Sequence, residues 1–592
     1  MKPLQTNHPS KPIRGDQLRP SPQPSSKGRG SNAEAAGRPS TRNVRTLGIR
    51  RWILDKAFLV AALTFISITT SFAARTERRI EGWKPTNYNV SLTFNDALTE
   101  ITAAKAEITI VSLQDSLAQI DLDFGEMPID SVAINNQSAP YQRSAGLINI
   151  KLDRRLARGS SAVVVISYHG KPKDGLVLTN DKAGKPSAVG DNWPNRAHHW
   201  IPSFDHPSAK ATVTFSINAP AHDVVVANGK LDAVTEAAGM RRTWTYTESV
   251  PIPPYCMIIA VGDFAVVQPA GQEVTPLTYY VPQPDKTFAA QGFGSAGASL
   301  KFFSQTVAPY PYEKLALIIG ATRFGGMENS SAIVFPSTLF DARSQQAVSN
   351  VFRIREGLRD VVAHEIAHQW FGDSVTESTW ADLWLSEGFA DYFAGLFIQR
   401  YEGEAAFQRY MKDEADSYFT YEKNNRTPIH DTNTEDLFKL LNANNYQKGA
   451  WVLHMLRAEL GDSAFFRGIR IYYEAHKNST AGSDDLRAAL EQASGKDLHE
   501  FFTRWIYGAG HPIYRLSSDW NSKTNKLRLT LSQLQREPAF PNSVSIEVIT
   551  ASGKQRIVLR PNGKQFREDV KLDGPPTTIN LDPDNTILKD AK

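Results

Sequence analysis

Two histidines four residues apart enclose a glutamate in His364-Glu365-Ile366-Ala367-His368. On a helix this spacing puts both imidazoles on one face. They can then offer two nitrogens to one metal ion, with Glu365 beside it. After eighteen intervening residues comes Glu387, which can supply a third ligand from the next element. Two histidines and a glutamate, with a fourth position left to water, form the ligand set of a catalytic zinc site; a structural site closes all four positions. One Zn2+ per chain is expected, held by His364, His368 and Glu387. Zinc bound in this way polarises a carbonyl and lowers the pKa of its water towards ~7. Glu365 sits between two ligands and is placed to take the water's proton and pass it to a leaving nitrogen. The chemistry expected is amide hydrolysis by a metallopeptidase. With 13 His in 592 residues, chance would produce H-E-x-x-H only roughly 0.01–0.02 times in such a chain.

These residues need rigid elements around them. Asp360-Val361-Val362-Ala363 leads apolar into the motif, as a buried site helix should. Helical patterning flanks the motif and continues through Tyr446 to Leu460 and Asp484 to Tyr507. It stops near Gly508-Ala509-Gly510-His511-Pro512, where Gly and Pro end a helix. Residues 266–512 therefore read as a mostly α catalytic domain. Before it the pattern has period two: Tyr88, Val90, Leu92 and Phe94 alternate with Asn89, Ser91 and Thr93. Strand-like runs recur at Val163-Val164-Val165-Ile166 and Val224-Val225-Val226, with a turn signal at Asn228-Gly229. Residues 74–265 read as an all-β domain. Alternation returns in residues 513–592. There Leu527, Leu529 and Leu531 interleave with Arg528, Thr530 and Ser532, and Val544, Ile546 and Val548 with Ser545 and Glu547. A small β-sandwich is expected there. The whole reads as a multidomain α+β protein.

Charge divides unevenly along the chain. Residues 1–73 hold 12 Lys and Arg against 3 Asp and Glu, leaving 54 against 59 in the rest. The part expected to fold is mildly acidic, so a nucleic-acid partner is not expected. Residues 1–46 are rich in Pro, Ser, Gly and Arg and read as disordered. Arg50-Arg51, an apolar run from Ala57 to Thr70 and Ser71-Phe72-Ala73 then read as a secretory signal. The apolar run is shorter than the ~20 residues of a comfortable membrane span. Export to a periplasm or the cell exterior is expected, with an uncleaved membrane anchor as the alternative. A single cysteine, Cys256, rules out an intrachain disulfide and reads as a small buried residue.

The motifs also carry a family resemblance. Phe371-Gly372-Asp373-Ser374-Val375-Thr376 follows the HEIAHQW segment, and Glu387 lies within Trp380-Ala381-Asp382-Leu383-Trp384-Leu385-Ser386-Glu387-Gly388-Phe389-Ala390. Gly325-Gly326-Met327-Glu328-Asn329 lies upstream and Tyr446-Gln447-Lys448-Gly449-Ala450 downstream. In combination and order these resemble the zinc aminopeptidase N family, which also contains the leukotriene hydrolases. The resemblance runs from about Trp83 to the C-terminus. It implies an N-terminal β saddle, a thermolysin-like catalytic domain and a short form lacking the large C-terminal helical domain. It further implies peptide substrates with a free N-terminus. Tyr446 would donate to the oxyanion, and Gly325, Gly326, Met327, Glu328 and Asn329 would form the segment that receives the substrate, with Glu328 binding its α-ammonium.

One position departs from the family pattern. Relatives usually carry a second amine-binding Glu or Gln about a dozen residues before an Asp-x-Pro segment. Here that segment is Asp205-His206-Pro207, and the matching position falls near Trp193 in Asp191-Asn192-Trp193-Pro194. Asp191 is a candidate substitute; otherwise Glu328 acts alone. Asp391, four residues after Glu387, is expected to orient His364, with Asp382 as its rival. The function expected is a zinc aminopeptidase. The alternatives are a zinc-dependent epoxide or ester hydrolase, disfavoured by the missing helical domain, and a silent peptide-binding scaffold, disfavoured by the intact site residues.

Overall fold

The computed structural model describes residues 74–270, 275–340 and 358–592. The disordered leader and secretory signal expected in residues 1–73 lie outside the described residues. Among the described residues no helix is long and apolar enough to cross a membrane.

The N-terminal part is mostly β. Its largest sheet has eight strands, with Trp83–Phe94 near the centre. That strand pairs antiparallel with Ile101–Ser112 and parallel with Ala211–Pro220. Tyr88, Val90, Leu92 and Phe94 are buried on one face while Asn89, Ser91 and Thr93 face outward, the alternation read from the sequence. Ile108, Ile110, Val164, Ile166, Phe215 and Ile217 join them in one core, which Ala188, Val225, Ile259 and Val261 cover from a second sheet. That second sheet has four strands, Val224–Ala227, Ile259–Gly262, Pro186–Gly190 and Leu176–Asn180, and its other face turns towards the next part. Val189, Val226, Ile258 and Ala260 from this region share a core with Ala316, Ile318, Val334 and Met327 of the next part. The N-terminal part is thus packed onto the loop that carries Glu328.

The catalytic part opens on a four-stranded sheet: Phe264–Val267, Leu277–Pro282, Leu315–Gly320 and Ala332–Pro336. Its first strand straddles the expected 265/266 boundary and pairs forward, with Leu277–Pro282. Helices follow: α1 (Ala296–Thr306), α2 (Leu358–His368), α3 (Trp384–Glu402), α4 (Glu404–Glu422), α5 (Gly449–Leu460), α6 (Asp462–His476), α7 (Ser483–Ser494) and α8 (His499–Trp505). The helical run expected from Asp484 to Tyr507 is two helices. Gly495 takes a left-handed conformation, φ +70°, and ends α7, as glycine does at a helix C-terminus. Every residue of α3 from Trp384 to Ile398 is buried. A helix buried on all sides belongs at the centre of a core, and α3 packs against α2, α4 and α5. A Cβ on Gly388 would lie 2.8 Å from the Gly449 Cα, so the glycine lets α3 and α5 approach closely. Residues 513–592 form one four-stranded and one three-stranded sheet. Their apolar residues Leu527, Leu529, Leu531, Val544, Ile546 and Val548 join the core of the catalytic helices.

Candidate active site

Helix α2 places His364 and His368 on one face, and the first turn of α3 brings Glu387 opposite them. His364 Nε2 and His368 Nε2 lie 2.9 Å apart, and Glu387 Oε2 lies 3.5 Å from the first and 3.3 Å from the second. Four donors arranged tetrahedrally at zinc–nitrogen distances of ~2.0–2.1 Å are spaced about 3.3 Å apart along each edge. The three observed edges therefore suit a zinc ion. The proton positions agree. His364 Nδ1 meets Asp391 Oδ1 at 2.8 Å, and His368 Nδ1 meets Ser386 Oγ at 2.9 Å and the Phe371 carbonyl at 3.2 Å. With a hydrogen on each Nδ1, both Nε2 lone pairs point at one spot, an arrangement that a cation relieves. Burial acts to lower both imidazole pKa values, but the Asp391 and Glu387 carboxylates outweigh it around His364, and Glu387 lifts His368 to about 9. Burial acts to raise Glu387, and the two histidines outweigh that and pull it down to about 2. The pocket is strongly attractive to positive charge.

Glu365 faces the same space without joining these three ligands. Glu328, Glu365 and His368 also converge, each offering an atom within 4.8 Å of the others. Because His368 belongs to both groups, they are two sides of one site. Burial raises the carboxyls of Glu365 and Glu328, the latter to about 7, and an upward shift suits Glu365 to accepting a proton. Gly326 makes this packing possible: a Cβ there would fall 2.1 Å from Glu365 Oε1.

The Glu328 loop joins two parallel neighbours of the catalytic sheet. Met327 and Val334 exchange backbone hydrogen bonds of 2.8 and 3.0 Å, so the loop folds back on the following strand. Gly326, Met327 and Glu328 line the cavity above His364 and His368, together with Trp193, Phe324, Leu441 and Tyr446. Gly325 lines an adjoining pocket. Asn329 is not part of the cavity wall; its side chain donates to the Met327 carbonyl at 3.3 Å and braces the loop. Tyr446 lies on a π-helical turn, Asn444–Lys448, just before α5. Such turns insert one extra residue and shift a side chain out of helical register. The Tyr446 ring lies nearly parallel to that of His364, 7° between planes and 6.1 Å between centroids. Burial, followed by the Glu387 carboxylate, keeps its phenol protonated well past the ordinary range. It is a hydrogen-bond donor at working pH.

Asp191 does not replace the missing amine-binding group. Its carboxylate is 1% exposed and lies 2.9 Å from Arg196, 3.4 Å from Arg323 and 3.1 Å from the Thr322 hydroxyl. Two guanidinium groups already neutralise it, and Trp193 occupies the cavity wall. Between the rivals for orienting His364, the contact belongs to Asp391. Asp382 instead accepts from Ser483 N and Oγ at 3.1 and 2.7 Å and faces His430 at 3.2 Å.

Two supporting residues escape a reading of the chain. Ser386 reaches His368 because Gly372, at φ +117°, leaves room; a Cβ on Gly372 would sit 2.3 Å from Ser386 Oγ. Gln369 has no exposure and ties α2 to the Glu328 loop. Its Nε2 donates to the Glu328 carbonyl at 2.8 Å and to Asp373 Oδ2 at 2.7 Å. Its Oε1 accepts from Ser331 N at 2.8 Å and the Tyr310 hydroxyl at 3.0 Å. A polar residue directly after the second histidine is the one sequence signal for it.

Fold and site together define a protein of the HExxH type with a glutamate converging on the two histidines from the next helix. Residues 84–256 match the Peptidase M1 N-terminal domain and residues 292–505 the Peptidase family M1 domain. The chain belongs to peptidase family M1. It is 30% identical to the probable aminopeptidase 2 of Sulfurisphaera tokodaii over 69% of this chain and 52% of that protein. It is 26% identical to aminopeptidase 2 of Candida albicans over 69% of this chain and 45% of that one. The chain thus spans about half the length of these curated relatives. Among solved structures it resembles the M1 zinc metallopeptidase of Deinococcus radiodurans, with 25% identity and a TM-score of 0.61, over 73% of this chain and 95% of that one.

Proposed function

We propose that this protein is a zinc aminopeptidase that removes single residues from the free N-terminus of peptides. One observation carries the reading. The Glu328 carboxylate shares a buried cavity with the ligand triad and lies within 4.8 Å of His368 and Glu365. An α-ammonium paired with Glu328 brings its own carbonyl, two bonds away, to the metal ligands. Cleavage then falls after the first residue.

Zinc held by His364, His368 and Glu387 would polarise that carbonyl and acidify water. Glu365 takes a proton from the attacking water and returns it to the departing nitrogen. Tyr446 donates its phenolic hydrogen to the carbonyl oxygen as negative charge builds there. Asp391 and Ser386 hold the two imidazoles in their working tautomers. A variant of the Deinococcus radiodurans enzyme carries a Tyr-Ser-Ala substrate, and the relatives named above are aminopeptidases or probable ones, both in keeping with this reading.

The reading extends to two finer points. The C-terminal sheets, which contribute to one shared core, are read as a β-sandwich. The basic, apolar and small-residue succession of residues 50–73 is read as an export signal, placing the protein outside the inner membrane.

The test is a panel of aminoacyl amides, each beside its N-acetylated twin. Cleavage of the free amines alone is expected, abolished by chelation and lowered at least about 100-fold in Glu365→Gln. Equal cleavage of the acetylated twins would rule out an exopeptidase.

A further inference from the structure

The wall that Gly326, His364 and Glu365 give to the amine cavity has a second side. There the same residues line an adjoining pocket, whose far wall is built from Val361, Tyr410, Glu414 and Gln447. Glu328, Met327 and Trp193 belong to the first cavity and not to this one. A peptide anchored by its amine at Glu328 must pass Glu365 at its first amide bond. Its second side chain then arrives in the adjoining pocket.

This pocket is unusual in its charge. Asp391 and Glu414 both line it, and among the described residues no Lys or Arg does. Asp391 Oδ2 and Glu414 Oε2 are buried and have no hydrogen-bond partner. Asp391 is only 6% exposed and spends its other oxygen on His364. Glu414 reaches in from α4, away from the ligand helices. Buried carboxylate oxygens without donors are costly, and a cationic group is the partner that removes the cost. Asp360 adds a further carboxyl to the lining, and Gln447 beside Glu414 is its neutral polar neighbour. Gly325 and Gly326 add no side chains to its lining.

Resting on the aminopeptidase reading, we propose that this pocket selects peptides whose second residue is lysine or arginine, with Glu414 as the recognising carboxylate. The departing product would then begin with a basic residue.

The test compares Ala-Lys-Ala with its Nε-acetyl-lysine twin, which keeps the length and removes the charge. In the zinc-loaded wild-type protein, kcat/KM is expected to be about tenfold higher for the charged peptide, the worth of one charge-assisted hydrogen bond. In Glu414→Gln the ratio of the two should fall towards one. Equal rates for the twins in the wild type would overturn the pocket assignment and leave the peptidase reading standing. A tenfold ratio that persists in Glu414→Gln would overturn the role of Glu414. Cleavage of neither twin, nor of any free aminoacyl amide, would overturn both readings together.

Discussion

Four hydrogen bonds meet on the side chain of Gln369, and they join the metal helix to the loop that bears Glu328. This separates two properties usually discussed as one, the strength of metal binding and the placing of the substrate amine. Gln369→Glu keeps the shape and both accepting bonds. It loses the donors to the Glu328 carbonyl and the Asp373 carboxylate, and sets a second negative group against Asp373. The loop should loosen while the zinc ligands stay in place. A rise in KM of about tenfold for free aminoacyl amides is expected, with zinc affinity held and kcat moving less. A fall in kcat at unchanged KM would show that Gln369 acts on the chemistry and not on placement. The pairing of His364 with His368 is legible in the chain because side chains at i and i+4 must share a helix face, whereas Glu387 is legible only by its motif spacing. Gln369 and Ser386 are not legible, because their value depends on loops that only folding brings near. Asp191 shows the same limit. Nothing near it in the sequence announces Arg323, over a hundred residues away, which pairs with it.

At the scale of elements, the π-helical turn Asn444–Lys448 does two jobs. It presents Tyr446 to the site on one side and drives Lys448 into the core on the other. The Lys448 ammonium has no hydrogen-bond partner and lies 5.8 Å from the Tyr418 ring of α4 and 6.0 Å from the Trp505 ring of α8. Burial outweighs the nearby Glu422 and lowers its pKa from 10.5 to about 7. The unfolded chain holds this proton up to about pH 10.5, the folded chain only to about 7. Between those values the unfolded state binds the extra proton, so stability should rise as pH climbs and fall as pH drops towards 7. Lys448→Met should flatten that part of the stability profile, measured by denaturant unfolding at several pH values. A variant with an unchanged slope would place the titration elsewhere. In the sequence only the family resemblance points to Tyr446, since a π turn leaves no mark in apolar periodicity. The strands of the N-terminal part were plain in their alternation. The break between α7 and α8 depended on the single left-handed Gly495.

The cores divide the whole molecule differently from the chain order. The large N-terminal sheet shares a core with the inner-facing Ala188, Val225, Ile259 and Val261 of the small sheet, which Tyr312 also joins. The catalytic helices and both C-terminal sheets share another, although the sequence reads as two domains there. Burial patterns within each strand could foresee which face is apolar, but not which neighbour covers it. The candidate metal site, His364, His368 and Glu387, lies between α2 and α3 of the second of these cores. A ligand that binds only the folded form stabilises the cooperative unit that contains it, by about 4 kcal/mol at a thousandfold excess over Kd. Spread over the unfolding entropy of residues 264–592, that amounts to a shift of about 6 °C. Calorimetry with and without a chelator should therefore move one transition by about this much and leave the other, the large N-terminal sheet, in place. In Glu387→Gln the movable transition should lose most of its response to zinc. A single transition shifting as a whole would show that the small sheet at Val189, Val226 and Ala260, which packs on Ile318 and Val334, couples the two cores strongly enough to make the molecule unfold as one.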